Sequence, residues 1–319
     1  MKIIRNLSHI GALKNPVATI GNFDGVHIGH RQIFRQLRQA AAGINGVSIV
    51  ITFAPHPLKM VTSGKKLRLI STYDEKERLL EASGIDYLVI IPFTKEFAAL
   101  SARAFVIDIL VSSLGIKKLI VGYDYAFGRN REGNIGFLRQ MGKEFGFTVE
   151  VLEPIWNGKT LFSSTNIRKM VEDGNVKDVV HLLGRHFSIG GKVVHGHHRG
   201  KTMGFPTANL QSENELIPKC GVYAVKVKLN GEMYDGACNI GPNPTFDDEA
   251  ISIEVFIFGY DGDLYGQSLR LFFVERIRDE RKFPDVCALQ RQIKDDVSRC
   301  REVLKDTEVL EYHEPQTKD

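Results

Sequence analysis

The sequence of 319 residues is poor in cysteine and tryptophan and has no large excess of charge of either sign. Its four cysteines form no C-x-x-C pair, which argues against a disulfide framework and fits a reducing cytoplasm. The 42 basic residues nearly balance the 38 acidic ones, so the composition does not indicate a nucleic-acid partner. No stretch approaches the roughly 18 consecutive apolar residues of a membrane span, and the first ten residues lack the pattern of a secretory signal. The cysteines are Cys220, Cys238, Cys287 and Cys300.

The first half of the chain alternates short apolar runs with amphipathic segments. The runs predict buried parallel strands at 17–20, 47–53, 87–91, 118–121 and 148–152. Apolar residues at helical spacing predict helices over 30–42, 73–83, 102–114 and 136–145. This alternation is typical of a doubly wound α/β sheet, whose ligands bind beyond the carboxyl ends of the strands.

The second half is rich in strands. After a polar helical pair near 165–183, alternating patterns predict strands at 187–194, 221–229, 233–240, 251–258 and 268–277. Short strands at this spacing predict a small antiparallel β-barrel, followed by an amphipathic helix over about 285–305. We therefore predict an α/β domain over 1–184, an all-β domain with a C-terminal helix over 185–310, and a polar tail over 311–319.

The segment GNFDGVHIGH, residues 21–30, follows the first of the predicted strands directly. Glycines let the backbone approach a ligand, and a helix N-terminus favours negative charge. His27 and His30 flank a glycine at the start of the predicted helix, where their imidazoles can contact phosphate oxygens. The alternative is two surface histidines at a helix start that Asp24 caps. The position of H-x-G-H straight after a strand favours the nucleotide-phosphate site.

Three other segments of the first half offer ligand groups. His56 lies between two prolines in T-F-A-P-H-P, for which a rigid turn is an equally good explanation. The loop 121–131 carries aromatic residues, an aspartate and two arginines, which suits a flat ring beside a phosphate or an ordinary aromatic loop. Ser164 and Thr165 stand at a helix start ahead of Arg168, which suits helix capping and phosphate binding alike.

A glycine-interrupted basic loop, 196–204, leads into G-F-P-T-A-N in the second half. Free amides and positive charge suit phosphates, although a solvated basic hairpin loop is the alternative. Thr207 and Asn209 are two residues apart, so in an extended segment they face the same way and offer Mg²⁺ two oxygen ligands. Zinc is disfavoured, because the histidines at 195, 197 and 198 lack a partner at the usual spacing.

Glu254 lies in the predicted strand 251–258. Alternation puts its carboxylate on the face of Phe256 and Phe258, opposite the aliphatic residues of the strand. A general base that takes a proton from a hydroxyl suits such a place. Taken alone, a salt-bridged structural glutamate is the better explanation.

The motifs of the first half resemble the adenylyltransferase module of bacterial bifunctional riboflavin kinase/FAD synthetases, and more widely the H-x-G-H nucleotidyltransferase superfamily. The resemblance implies a Rossmann-like domain that transfers AMP from ATP to the phosphate of FMN and releases pyrophosphate. It implies that His27, His30 and Arg168 act in catalysis. The residues that it implies in nucleotide and flavin binding are Gly21, Phe23, Asp24, Gly29, His56, Asp124, Phe127, Arg129, Ser164 and Thr165.

In the second half, G-F-P-T-A-N, N-I-G-P-N-P-T-F, Glu254, D-L-Y-G and I-R-D-E-R-K-F together resemble a riboflavin kinase domain. The resemblance implies that Glu254 activates the ribityl 5′-hydroxyl for attack on the γ-phosphate of ATP. It implies Thr207 and Asn209 as ligands of Mg²⁺. The residues that it implies in binding are Gly196, Arg199, Lys201, Gly204, Pro206 and Arg278.

The resemblance extends to about residue 305 and implies a bifunctional enzyme of FMN and FAD synthesis. Riboflavin, FMN, FAD and ATP are then the ligands, with Mg²⁺ accompanying ATP. We expect a cytoplasmic monomer or weak oligomer without nucleic-acid or membrane partners. One alternative is that only one of the two modules is active. Another is a flavin- or RNA-binding regulator that uses the barrel as a platform, which the near-neutral charge disfavours.

Overall fold

The structure is a computed structural model that describes residues 1–61, 67–158, 160–195, 204–242 and 251–312. These residues form two compact units, Met1–Ser163 with Tyr312 and Ser164–Glu311. The division falls before the helical pair near 165–183, whereas the sequence pattern places the boundary after it. Where the functional domains divide, near residue 184, stays a prediction.

A parallel sheet forms the centre of the first unit. Its strands are β1 (Lys2–Ile4), β2 (Val17–Ile20), β3 (Ser48–Ala54), β4 (Tyr87–Pro92), β5 (Lys118–Gly122) and β6 (Thr148–Leu152). They lie in the order β1-β4-β3-β2-β5-β6, and every pair is parallel. The order reverses at β2, so a ligand crevice is expected at the carboxyl ends of β2 and β5. The predicted α/β class is confirmed. Strand β1 was not predicted, because three residues are too few to show a period.

Helices cover both faces of this sheet. They are α1 (Ile28–Gly43), α2 (Pro57–Val61), α3 (Tyr73–Ala82), α4 (Lys95–Ala98), α5 (Ala102–Ala104) and α6 (Ile135–Phe145). A π-helix, Phe105–Ser113, continues α5, and short 3₁₀ turns lie at Leu7–His9 and Arg129–Arg131. The prediction of a helix over 102–114 is therefore confirmed, although most of this helix is of the π type, which the pattern did not predict. The run F-V-I-D-I-L-V is apolar almost all round, so its pattern cannot distinguish the two helix periods.

The alternating residues of β3 supply two separate cores. Ile49 and Ile51 belong to the cluster that contains Phe105 of the π-helix. Val50 belongs to the cluster on the other face, which contains Phe34 of α1. A strand that is apolar on both faces therefore lies in the middle of the sheet, as the continuous apolar run predicts.

Two further features complete the first unit. Strands β7 (Trp156–Asn157) and β8 (Thr160–Leu161) form a small antiparallel pair. Tyr312, from the predicted polar tail, lies against this unit. The Arg31 guanidinium sits 3.7 Å from the centre of its ring, and its hydroxyl lies 3.1 Å from Ser83 Oγ.

The second unit is a closed antiparallel barrel with helices on its outside. Its elements are α7 (Ser164–Glu172), α8 (Val176–Leu183), β9 (Phe187–Val194), β10 (Ala208–Ser212), β11 (Gly221–Leu229), β12 (Glu232–Pro242), β13 (Ile251–Ile257), β14 (Ser268–Arg278) and α9 (Val286–Leu304). The strand order around the barrel is β9-β10-β13-β12-β11-β14. Helix α8 packs on β9 and β14, and α9 packs on β11, β12 and β14. The predicted barrel with a C-terminal helix is confirmed.

The hairpin between β11 and β12 shows how sequence fixes the strand register. Asn230 and Gly231 form its two-residue loop and have φ angles of 50° and 90°. Such loops need positive φ at both positions, which asparagine and glycine tolerate best. The nine paired positions of β11 and β12 then run without a bulge from Leu229–Glu232 to Gly221–Ile240.

Candidate active sites

The two histidines of H-x-G-H stack on each other at the start of α1. His27 is the N-cap of the helix, and its Nδ1 accepts the backbone N–H of His30 at 3.3 Å. Their ring centres are 3.5 Å apart. The Asp24 carboxylate instead accepts the backbone N–H groups of Ile70 and Ser71, so the alternative in which Asp24 caps α1 is wrong.

His30 is placed to receive an anionic ligand. Burial, then His27 and then Lys76, lower the pKa of His30 well below its ordinary value. Its Nδ1 is buried and has no hydrogen-bond partner among the residues that the structure describes. A phosphate oxygen at this helix start would supply both the missing partner and a charge that favours protonation.

Position 29 favours glycine because the side chains of His27 and Phe162 leave little space for a Cβ atom there. A Cβ atom there would lie 3.0 Å from Cε1 of His27 and 3.2 Å from Cβ of Phe162. Phe162, two residues before Ser164, therefore lies beside H-x-G-H. The predicted residues Ser164, Thr165 and Arg168 lie on α7, where Ser164 is the first helical residue. Their convergence on the same nucleotide stays a prediction.

A large cleft opens at the carboxyl ends of β2 and β5. It has a volume of about 730 Å³. Its wall combines backbone next to β2, aromatic rings and the polar loop after β5. Among the residues that line it are Gly21, Asn22, Phe53, Phe93, Phe97, Asp124, Tyr125, Phe127 and Arg129.

The rings of this cleft pack on one another. Tyr125 and Phe127 stack with their centres 5.5 Å apart, and Phe97 lies 5.5 Å from Phe93 and 5.8 Å from Phe53. The predicted residues Gly21, Asp124, Phe127 and Arg129 are thus brought together. The motif analysis missed the phenylalanines at 93 and 97. Their signal was an aromatic pair at i and i+4 that begins at the carboxyl end of a buried strand.

Two other predicted residues of the first unit have structural partners. Phe23 is buried, and its ring meets the His30 ring edge-on at 5.2 Å. The backbone N–H of His56 donates to Tyr73 Oη at 3.0 Å, and His56 Nδ1 accepts the N–H of Leu58 at 3.2 Å. Phe23 therefore supports the histidine pair from beneath, and His56 holds the start of α2.

Sequence reasoning also missed Lys76, a buried cation on α3. Its ammonium group donates to the Asn22 carbonyl at 3.4 Å and to Thr52 Oγ1 at 3.3 Å. Helix α3 holds it in place through a capping box between Thr72 and Glu75. The available signal was a lysine four residues before the buried Leu80, on the inward face of an amphipathic helix.

Glu254 lies in the middle of a polar row on the barrel. Strands β10 and β12 flank β13. The residues directly opposite Glu254 on these strands are Asn209 of β10 and Asn239 of β12. Thr207 Oγ1 donates to Glu254 Oε2 at 3.2 Å. The neighbouring Ile253 and Val255 are buried, as the alternation predicts. Four groups with oxygen acceptors thus share one face, of which Asn239 was not predicted.

The structure describes only some of the remaining residues that were predicted for the second site. Gly204, with φ of 84°, precedes Pro206 at the approach to β10. Gly196, Arg199 and Lys201 lie outside the described residues.

Arg278 has a firm partner on α9. Its Nε and Nη2 bind the Asp296 carboxylate at 2.9 and 2.7 Å, and Asp296 is buried. The nearby Glu280 lies against Gly241. Burial raises the pKa of Glu280, with the Glu254 charge acting in the same direction and Arg278 opposing it. The carboxylate of Glu280 therefore lies within electrostatic reach of Glu254.

The described residues contain no group of three or more histidine, cysteine or acidic residues that could hold a metal ion. His195, from the disfavoured zinc alternative, stacks on Tyr265 with ring centres 4.0 Å apart. Within the same described ranges, no helix is long and apolar enough to cross a membrane.

Two family models match the two halves of the chain. The FAD synthetase family matches residues 10–166, and the riboflavin kinase family matches residues 183–304. Bifunctional riboflavin kinase/FMN adenylyltransferases are similar over most of their length. The protein from Buchnera aphidicola (Acyrthosiphon pisum) is 38% identical over 93% of this chain and 96% of its own. The Escherichia coli K12 protein is 37% identical over 95% and 97%, and the Listeria monocytogenes protein 36% identical over 88% and 90%.

A crystal structure from Streptococcus pneumoniae has the same fold. It superposes with a TM-score of 0.85 at 34% identity, and covers 94% of this chain and 98% of its own. That structure is described as a macrolide-efflux protein. In this chain, the FAD synthetase and riboflavin kinase matches together account for both halves.

The fold and sites define a two-domain transferase, with a nucleotide-binding α/β domain followed by a kinase-type β-barrel. The chain belongs to the bifunctional riboflavin kinase/FMN adenylyltransferase family. It converts riboflavin to FMN and FMN to FAD with ATP. The alternatives of a single active module and of a binding regulator are not favoured, because both catalytic families are matched.

Proposed function

We propose that the stacked histidines and the aromatic cleft form the adenylyltransferase site. The observation that carries this proposal is the buried Nδ1 of His30, which lacks a partner at the N-terminus of a 16-residue helix. His27 and His30 bind the phosphates of ATP and stabilise the charge that develops on them during the reaction. Arg168, Ser164 and Thr165 complete the grip on the polyphosphate, and Gly21 and Gly29 let it approach the backbone.

The aromatic cleft holds the flavin acceptor. Its volume of about 730 Å³ suits a ligand the size of FMN, and its rings offer stacking faces for the flat isoalloxazine. Asp124, Phe127 and Arg129 line the same cleft and orient the flavin, while Asp24 and His56 hold the surrounding loops.

The reaction is an in-line displacement. A phosphate oxygen of FMN attacks the α-phosphorus of ATP, the bond from that phosphorus to the bridging oxygen breaks, and pyrophosphate leaves. No covalent enzyme intermediate forms, so the site contributes positioning and charge stabilisation. The low pKa of His30 means that the ring is neutral in the free enzyme. Binding of the polyphosphate raises its proton affinity where the positive charge is needed.

The polar row of the barrel forms the riboflavin kinase site. Glu254 accepts the proton of the ribityl 5′-hydroxyl while that oxygen attacks the γ-phosphorus of ATP, and ADP leaves. Gly204 and Pro206 shape the approach to Thr207. Gly196, Arg199 and Lys201, for which the sequence predicts phosphate binding, lie outside the described residues, and Arg278 supports the ligand site.

Thr207 and Asn209 would hold Mg²⁺ with the phosphates of ATP. Their hydroxyl and amide oxygens suit this ion, which is bound by few protein groups when phosphates and water supply the rest. Their position beside Glu254 fits that role. When bound, Mg²⁺ neutralises charge on the phosphates.

The enzyme works in the cytoplasm as a monomer or weak oligomer, without nucleic-acid partners. The four cysteines, all free, and the near balance of basic and acidic residues support this assignment.

One experiment tests both sites. The double variant His27→Ala/His30→Ala and the variant Glu254→Gln are each assayed with riboflavin and, separately, with FMN. We expect the double variant to lose at least 100-fold in FAD formation from FMN, since preorganised charge stabilisation of this kind is worth about 10²–10³-fold per group. It still makes FMN from riboflavin. Glu254→Gln converts added FMN to FAD but phosphorylates riboflavin at least 100-fold more slowly.

Glu275→Gln is the matched control, because this glutamate lies on a different strand and pairs with Lys177. It retains both activities. A histidine variant with normal FAD formation, or a Glu254 variant with normal kinase activity, would contradict the corresponding site assignment.

A further inference from the structure

Lys76 ties the loop after β2 to strand β3, close to the proposed phosphate site. Its side chain leaves α3 inward, and the residue is only 7% exposed. The ammonium group meets the carbonyl of Asn22, just beyond β2, and the hydroxyl of Thr52, near the end of β3. Thr52 Oγ1 also donates to the Asn22 carbonyl at 3.2 Å. Asn22 in turn lines the aromatic cleft.

The ammonium group has no carboxylate among its hydrogen-bond partners in the described residues. The nearest acidic influences come from Asp24 in the loop after β2 and Glu77 on α3. The Tyr73 ring lies 5.4 Å from the nitrogen. A cation in such a place costs folding energy, because the protein replaces water with neutral oxygens and an aromatic ring.

We propose that Lys76 is a positioning residue of the adenylyltransferase reaction, whose charge holds the Asn22 loop against strand β3 at Thr52 and supplies a positive field near His30 while the ammonium group is protonated. The inference rests on the proposed assignment of that reaction to the histidine pair. A charge held in a dry interior is screened far less than one at the surface, so it acts on the phosphates of ATP and FMN without contacting them. The charge of Lys76 already acts on His30, because it contributes to lowering the pKa of that histidine.

This arrangement gives the adenylyltransferase an alkaline limit of its own. Burial lowers the pKa of Lys76 to about 8, although the charges of Asp24 and Glu77 oppose the shift. Lys76 is therefore charged below about pH 8 and neutral above it. The other titratable neighbours are His27, His30 and Tyr73. His30 is already neutral at pH 7 in the free enzyme, because its pKa is lowered. The rate of FAD formation should fall as the pH rises through 8. The riboflavin kinase activity of the same molecules should show no such fall near pH 8.

The test compares Lys76→Met and Lys76→Arg with the wild type and with Arg78→Gln. Arg78 is exposed on the same helix, so this control removes one positive charge without touching the buried site. For each protein, kcat and KM for FMN adenylylation are measured from pH 6.5 to 9.5. Riboflavin kinase activity and the thermal unfolding midpoint are measured on the same preparations.

We expect Lys76→Met to lose at least tenfold in kcat at pH 7, with a smaller change in KM, and to have no step near pH 8. Its unfolding midpoint should be unchanged or higher, because the buried charge is gone and the Thr52–Asn22 hydrogen bond remains. Lys76→Arg should recover part of the loss and move the alkaline limit upward, since arginine stays charged. Arg78→Gln should behave as the wild type.

Three results would overturn the inference. They are a Lys76→Met enzyme with wild-type kcat, one that keeps the step near pH 8, and a Lys76→Arg enzyme no more active than Lys76→Met. Failure of the underlying site assignment is a different result. In that case the His27→Ala/His30→Ala variant retains FAD formation, whatever the Lys76 variants do.

Discussion

At the scale of single residues, Gly128 controls the shape of the aromatic loop after β5. It has a φ of 75°, and a Cβ atom there would lie 2.7 Å from the backbone nitrogen of Ala102. Both the backbone angle and the lack of space therefore require glycine. On either side of it lie Phe127 and Arg129, which line the cleft.

The substitution Gly128→Ala should displace this loop and lower FAD formation from FMN at least tenfold, mainly through a higher KM for FMN. Riboflavin kinase activity should remain normal, because the barrel is a separate unit. Gly43→Ala is the control, since that glycine at the end of α1 has open space around it and no positive φ. Steady-state kinetics with FMN as substrate measures both. A normal KM in Gly128→Ala would argue that the loop does not hold the flavin.

The residues of the motifs were the most predictable part of the sites. His27, His30, Asp124, Phe127 and Glu254 could be named because glycines, strand ends or alternation mark their positions. Other residues of the same sites carry no such mark. Phe93 and Phe97 reach the aromatic cleft because β4 pairs with β3, and Lys76 reaches Asn22 and Thr52 from α3. Both are properties of the tertiary fold. Asn239 joins Glu254 through strand pairing, which local sequence does not reveal.

At the scale of elements, the pairing of α9 with β14 stabilises the barrel. Arg278 and the buried Asp296 form a bidentate ion pair, and Gln292 also donates to Asp296 at 2.7 Å. Removing one partner of a buried pair is costly, because the other charge is left desolvated.

Asp296→Asn should therefore lower the stability of the second unit by about 3 kcal/mol. For a unit of this size, that corresponds to a fall of about 10 °C in its unfolding midpoint. Scanning calorimetry measures the shift, and Asp295→Asn is the control because its exposed side chain removes the same charge from the same helix. An Asp296→Asn midpoint equal to that of the control would mean that the ion pair contributes little.

The type of most elements followed from local patterns, and the exceptions have physical reasons. Helix α9 begins after the N-cap Asp285 and ends at Leu304, close to the prediction, since its amphipathic pattern is regular. The π-helix was not foreseeable, because an almost wholly apolar run has no readable period. Strand β10 was recognised only as an extended segment, because it is short and polar.

At the scale of the whole molecule, one chain carries two chemistries, and the family matches and the compact units divide it differently. The family matches, 10–166 and 183–304, leave the helices α7 and α8 largely between them. Contacts place those helices with the barrel, whereas the sequence pattern placed them with the first domain. The apolar pattern of α7 and α8 is the same whether these helices belong to the first domain or pack on the barrel. Only the packing of α8 on β9 and β14 distinguishes the two.

The central claim is that the two activities depend on separate sets of side chains, the pair His27 and His30 for one and Glu254 for the other. Mixing two inactivated variants tests this claim most directly. His27→Ala/His30→Ala and Glu254→Gln are supplied with riboflavin, ATP and Mg²⁺, separately and together, and FMN and FAD are resolved over time. Alone, the histidine variant should accumulate FMN without FAD, and the Glu254 variant should form neither product. Together they should form FAD, because FMN released by one molecule is adenylylated by the other. A folded variant that has lost both activities, or a mixture that accumulates FMN but no FAD, would contradict the account.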